Sequence, residues 1–172
     1  QQGFRLIYVD GFSSRGSDRY SAIWEKSAGP EWKARHRMTS AAYQKAFTEE
    51  AASGFRLAHV SAYTVGKEDL YAAIWEKSDG RAWRGHHRMT HDSYQKNFKT
   101  YSSQGFHVAH IDGYQINGES RYAAIWEKGG PAAKPETYWT AADAVVSSGK
   151  TAPQLKPLDD LMSSFLLEHN LP

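Results

Sequence analysis

The stretch YAAIWEK at residues 71–77 recurs at 122–128, and its variant YSAIWEK stands at 20–26, so that one seven-residue sequence occurs three times. Each copy begins 51 residues after the previous one. When residues 3–53 are aligned with 54–104, 23 of the 51 positions are identical. The chain is therefore a tandem array, in which units of one fold stack and each contacts its neighbours.

Each unit begins with a predicted β-hairpin. An apolar run (FRLIYV, FRLAHV or FHVAHI) precedes a two-residue turn, and the chain then enters the repeated YxAIWEK sequence. Asn-Gly is the strongest hairpin signal among the turns, because both residues tolerate the positive φ of a type I′ turn. The three turns are predicted at Arg15-Gly16, Gly66-Lys67 and Asn117-Gly118.

A helix is predicted after each hairpin. Thr39 and Thr90 can cap it, with Met38 and Tyr43 at the spacing of a hydrophobic staple, and a glycine can end it. The prediction is an α+β fold of hairpin-plus-helix (ββα) units, 3–53, 54–104 and 105–149, sharing one curved antiparallel sheet. The third unit reads YWT at 138–140 with a shorter helix over 141–149, which is typical of a capping repeat. A proline-containing linker follows at 150–157.

Composition argues against several functions. A net charge of +2 gives no footprint for nucleic acid or an anionic membrane, and neither partner is expected. The eight histidines are spread over equivalent positions, whereas a catalytic zinc needs three ligands at one point, so we expect no metal and no cofactor. Two S-x-x-K sequences, 93–96 and 147–150, lack a consistent helical context, and we expect no catalytic residue in this chain.

The repeated tryptophans have two interpretations. Trp24, Trp75 and Trp126 alternate with Ile and Glu along the predicted strand, which favours an aromatic ladder packed inside the scaffold. In the alternative, the same ladder lines an open groove that stacks on sugars or on an extended peptide.

A second candidate surface is the sequence W-x-x-x-H-R before each helix. It is predicted as a loop, and neither a turn nor a helix start requires these residue types. Tryptophan and arginine are also frequent in interface hot spots. The structural alternative is that the indole fills the gap between hairpin and helix while the arginine pairs with a carboxylate. The residues are Trp32, His36, Arg37, Trp83, His87 and Arg88.

The combination GFRLAHVSAY, YAAIWEK, W..HHRMT and YQKNF over residues 3–149 resembles the tandem-repeat N-terminal region of secreted serine hydrolases, including the fungal polyglycine hydrolases. The resemblance implies an open, half-barrel-like sheet and an extracellular, secreted protein. In that family a catalytic domain related to class C β-lactamases follows the repeats. Residues 158–172 look like its opening helix, so the chain would end before any catalytic residue.

Three functions follow from the sequence and the resemblance. The first is a non-catalytic domain whose partners are its own C-terminal catalytic domain and a protein or Gly-rich peptide substrate. The second is a carbohydrate or cell-envelope binding module fused to a β-lactamase-like enzyme. The third, an enzyme in its own right, lacks a nucleophile with its base.

Overall fold

The computed structural model describes residues 3–129, which contain eight strands and two helices. The elements follow in the order β1 (Arg5–Ser14), β2 (Ser17–Glu25), β3 (Trp32–Thr39), α1 (Ser40–Ala52), β4 (Phe55–Val65), β5 (Glu68–Lys77), β6 (Ala82–Met89), α2 (His91–Ser103), β7 (His107–Ile116) and β8 (Glu119–Lys128). The predicted helix 141–149, the linker 150–157 and the segment 158–172 lie outside the described residues.

The three hairpins form as predicted, and each YxAIWEK sequence lies in its second strand. β1 pairs with β2, β4 with β5, and β7 with β8, all antiparallel. At the first turn Arg15 and Gly16 have φ of 52° and 76°, and at the third Asn117 and Gly118 have 52° and 78°. These positive values are the ones that a type I′ turn requires.

The helix signals are also confirmed. The Thr39 side chain accepts a hydrogen bond from Ala42 N–H, and the Thr90 side chain accepts one from Ser93 N–H. Met38 and Tyr43 are buried in one cluster, as a hydrophobic staple requires.

The segment before each helix is a third strand, and its prediction as a loop was wrong. β3 pairs with β5 and β6 pairs with β8, so the sheets have the orders β3-β5-β4 and β6-β8-β7. Arg37 and Arg88 have φ of 53° where the register of these strands shifts, which is a β-bulge. The structural unit therefore begins at the strand before the helix and runs strand, helix, hairpin. The predicted ββα unit begins instead at the hairpin, so its boundaries differ from those of the structural unit.

The three hairpins lie in three separate sheets, so the described residues do not form the single shared sheet that the sequence predicted. The first sheet has only β1 and β2, and the other two have three strands each. Successive sheets pack face to face, which buries both faces of the central strand β5. On one face lie Tyr71, Ala73 and Trp75, and on the other Leu70, Ala72 and Ile74.

The same kind of interface joins the first sheet to the second and the second sheet to the third. His59 Nε2 lies 2.8 Å from the carbonyl oxygen of Val9, and His110 Nε2 lies 2.7 Å from that of Val60. Each bond links a histidine to a residue of the preceding sheet, namely the counterpart of the residue that follows the histidine in the chain. Because equal sequences make equal contacts, the units stack with a common geometry.

Candidate functional site

Two equivalent grooves lie between neighbouring sheets. The first groove, between the sheets of β1–β2 and β3–β5–β4, is lined by Tyr20, Trp24, Trp32 and His36. The second groove, between the sheets of β3–β5–β4 and β6–β8–β7, has at the same positions Tyr71, Trp75, Trp83 and His87.

Helix α1 fills the second groove. Tyr43 stacks on Tyr71 with ring centroids 4.9 Å apart and meets His87 edge-on at 4.8 Å. Phe47, one turn later, contacts Trp83 at 5.2 Å. Because these rings cover it, Trp75 has no exposed surface.

Within residues 3–129, no helix covers the first groove at the corresponding place. Trp24 is 54% exposed, although its counterpart Trp75 is fully buried. Its indole meets Trp32 edge-on at 5.8 Å, and Tyr20 meets His36 edge-on at 4.8 Å. The side chain of Arg37 stands at the rim and is 69% exposed. The groove thus offers aromatic faces with a cation beside them, which is the composition of an interface hot spot.

A hydrogen-bonded network fixes the floor of each groove. In the first, the Tyr20 hydroxyl donates to Asp18 Oδ2 at 2.6 Å and also lies 2.6 Å from the Tyr63 hydroxyl. The Tyr20 hydrogen bond, and more weakly Arg37, hold the pKa of Asp18 below its usual range. Burial raises the pKa of Tyr20, so this hydroxyl keeps its proton. The network positions the aromatic rings before any ligand binds.

The second groove repeats this network, and its arginine lies closer to the aspartate than the arginine of the first groove does. Tyr71, Asp69 and Tyr114 take the same roles, and burial raises the pKa of Tyr114 to about 12. Arg88 Nε lies 2.9 Å from Asp69 Oδ2, whereas the Arg37 to Asp18 distance is 3.7 Å. Burial lowers the pKa of His87, whose Nε2 lies 3.0 Å from the Ser40 hydroxyl.

The structure divides the sequence-predicted residues between the grooves. Trp24, Trp32, His36 and Arg37 meet in the first groove, which sequence spacing did not suggest. Trp83, His87 and Arg88 join Trp75 in the second, with the two arginines paired to carboxylates as the structural alternative states. Trp126 is fully buried and contacts Tyr94 and Tyr101 of α2.

Sequence reasoning missed Asp18, Tyr20 and the ring-on-ring role of Tyr43. One signal was present: an aspartate stands two residues before the first tyrosine of the repeated word at Asp18 and at Asp69, but a serine does so at Ser120. That pairing indicates a shared hydrogen bond, which the third copy cannot make in the same way because Ser120 stands in place of the aspartate.

Within the described residues, the remaining candidate side chains have structural roles or lie apart from one another. The Ser93 hydroxyl donates to the Thr90 carbonyl oxygen at 3.0 Å, so it serves the helix cap. In residues 3–129 no three metal-ligating side chains converge. The helices of this part of the chain are too short or too polar to cross a membrane.

A protein-family model described as the polyglycine hydrolase-like structural repeat matches residues 1–27, 29–78 and 80–129. The second and third matches each contain one whole three-strand sheet with its helix, which agrees with the strand, helix, hairpin unit. The first match contains the hairpin β1–β2. No curated protein matches the chain.

Proposed function

The chain belongs to the polyglycine hydrolase-like structural repeat family, and on that premise we propose that it is the non-catalytic repeat domain of a secreted serine hydrolase of that kind. Its role is to hold a protein substrate, and the first groove is the surface that binds it. The catalytic serine and its base belong to the domain that follows the repeats in such hydrolases.

One observation supports this assignment above the others. Trp24 and Trp75 occupy equivalent positions in consecutive hairpins, yet Trp24 is 54% exposed and Trp75 is fully buried. The difference arises from α1, which covers Trp75 with Tyr43. The first groove therefore presents to a ligand the aromatic surface that the second groove presents to a helix.

The helix that fills the second groove indicates what kind of ligand would fit the first groove. Its occupant is a helix with Tyr and Phe four residues apart, Tyr43 and Phe47, which share one helical face. We propose that the first groove binds a helical protein segment of the same type. Its Tyr would pack on Tyr20 and Trp24, and its Phe on Trp32.

A stapled peptide provides the probe. An isolated 13-residue helix is marginal in water, so the peptide of residues 39–52 is closed by a lactam between Lys45 and Glu49, which both point to solvent in α1. Calorimetry should detect 1:1 binding to the 172-residue chain. Trp24→Ala should weaken it by about 25-fold, since a hot-spot truncation costs about 2 kcal/mol.

Two controls separate the alternatives. The same peptide with serine in place of Tyr43 and Phe47 should not bind, and circular dichroism should show that Trp24→Ala remains folded, because this indole is mostly exposed. A Gly-rich peptide and a glycan array are tested in parallel. Trp24-dependent binding to glycans without peptide binding would instead favour the carbohydrate or cell-envelope module.

The link to hydrolysis needs the enzyme that carries the repeats. In a hydrolase containing this domain, Trp24→Ala should lower kcat/KM for a folded protein substrate while leaving that for a short Gly-rich peptide unchanged. An equal loss on both substrates would place the effect in the catalytic domain and refute the recognition role.

A further inference from the structure

The interface between consecutive sheets is left half-made at each end of the described stack. At one end is the leading face, the side of the β1–β2 sheet that bears Phe12 and Ile23. At the other end is the trailing face, the side of the β7–β8 sheet that bears Ile111, Gly113 and Tyr122. Inside the stack the same two kinds of face pack together twice.

The internal interfaces show how the two faces fit. Tyr63, the counterpart of Phe12, lays its ring directly over Gly11, where an added Cβ would come within 2.2 Å of Tyr63 Cε1. Beside it Ile74, the counterpart of Ile23, is buried in a cluster with Leu6 and Val9. An aromatic ring over a small residue, flanked by an isoleucine, is thus the repeated contact.

The trailing face keeps the small residue but lacks the ring within the described residues. A Cβ added to Gly113 would have Tyr122 as its nearest neighbour, at 3.7 Å. Ile111 is 44% exposed, although its counterpart Val60 is fully buried. An open pocket of about 310 Å³ lies here, lined by Gly113, Tyr114, Gln115, Ser120, Arg121 and Tyr122.

The leading face has the ring and lacks the pocket. Phe12 is 43% exposed and Ile23 is 54% exposed. Their counterparts Tyr63 and Ile74 are 4% and 2% exposed, because the preceding sheet covers them. In the part of the chain that the structure describes, these two neighbouring apolar side chains form an uncovered patch, which is typical of an interaction surface.

We propose that the leading face of one copy of this chain packs on the trailing face of a second copy. Phe12 then enters the pocket at Gly113, and Ile23 packs against Ile111. The contact continues the interface that already joins the sheets, so that both of its halves are present on one chain. Such a head-to-tail contact joins two different surfaces and leaves one free face at each end of a dimer.

A polar contact supports the same register. At the internal junction Asp112 Oδ2 accepts a hydrogen bond of 2.5 Å from Ala62 N–H. The counterpart of Asp112 in the first hairpin is Asp10, and that of Ala62 in the last is Gly113. Asp10 of the second copy would therefore receive the N–H of Gly113 once Phe12 is seated.

Sedimentation velocity on the 172-residue chain, between about 1 and 200 µM, covers the affinity range of a small interface. The weight-average mass should rise with concentration past that of a dimer, since a head-to-tail contact can propagate. Phe12→Ser removes the aromatic ring from the leading face, and Gly113→Val fills the pocket on the trailing face. A Cβ at Gly113 meets only Tyr122 within 4 Å, at an ordinary van der Waals distance of 3.7 Å, and the residue lies in a strand, where valine is favoured.

Mixing the two variants is the decisive step. Each variant alone should remain a monomer, whereas an equimolar mixture should form a 1:1 dimer and nothing larger, because each variant keeps one intact face. Ile23→Lys and Ile111→Asp form a second pair with the same expected behaviour. A monomeric wild-type chain over the whole range would overturn the proposal, and so would self-association that persists in each variant.

Discussion

Gly11→Ala tests the packing between the first two sheets against an internal control. The new Cβ would lie 2.2 Å from Tyr63 Cε1 and 2.4 Å from Cδ1. The Tyr63 ring cannot easily move away, since it is 4% exposed and its hydroxyl is held 2.6 Å from that of Tyr20. Overpacking costs about 1–3 kcal/mol and loss of the hydroxyl contact about 1 kcal/mol.

We therefore expect Gly11→Ala to lower the free energy of unfolding by about 2–4 kcal/mol, measured by urea denaturation followed through tryptophan fluorescence. Gly113→Ala is the matched control, because the nearest atom to its Cβ is 3.7 Å away. That control should change stability by less than about 1 kcal/mol. Equal effects of the two substitutions, or a Gly11→Ala variant as stable as the wild type, would refute the stacking geometry.

Three further predictions concern stability. Trp75→Ala should cost about 3–5 kcal/mol, whereas Trp24→Ala should cost less than about 1 kcal/mol, by thermal or urea unfolding. Burial and the neighbouring His110 lower the pKa of His59 to about 4, so between pH 6.5 and 4 the unfolded state binds more protons. Unfolding free energy should fall by up to about 3 kcal/mol as pH decreases through that window, and less so in His59→Gln. Glu50 is 3% exposed and accepts hydrogen bonds from two cations of β3. Glu50→Ala should therefore lower the free energy of unfolding by about 1–2 kcal/mol, whereas the exposed Glu49→Ala should lower it by less than about 0.5 kcal/mol.

The local elements were predictable because local signals determine them. The turn at Asn117-Gly118, the caps at Thr39 and Thr90, and the hairpins depend on residues a few positions apart. The repeat period of 51 predicted the array. The family resemblance came from the repeated motifs themselves, and the family model confirms it through residue 129.

The third strand was missed because its evidence is non-local. β3 is an edge strand with mostly exposed residues, and its partner β5 lies some 40 residues later in the chain. The bulge at Arg37 also interrupts its alternation. Without that strand the phase of the unit cannot be fixed, and the hairpins were assigned to one sheet instead of three.

The candidate site was only partly visible for a similar reason. Trp24 and Trp75 have the same sequence neighbours, and no local pattern distinguishes an exposed copy from a buried one. The difference depends on whether a helix lies in the groove beside each hairpin.

Oxidative footprinting of the tryptophans in the 172-residue chain, resolved by mass spectrometry, tests the central claim that the first groove is open and binds a helix. Trp24 should oxidise rapidly and Trp75 and Trp126 slowly, and the stapled peptide should protect Trp24 and Trp32 alone. The account would be contradicted if Trp24 oxidised as slowly as Trp75 in the free chain, or if the oxidation rate of Trp24 were unchanged at saturating peptide.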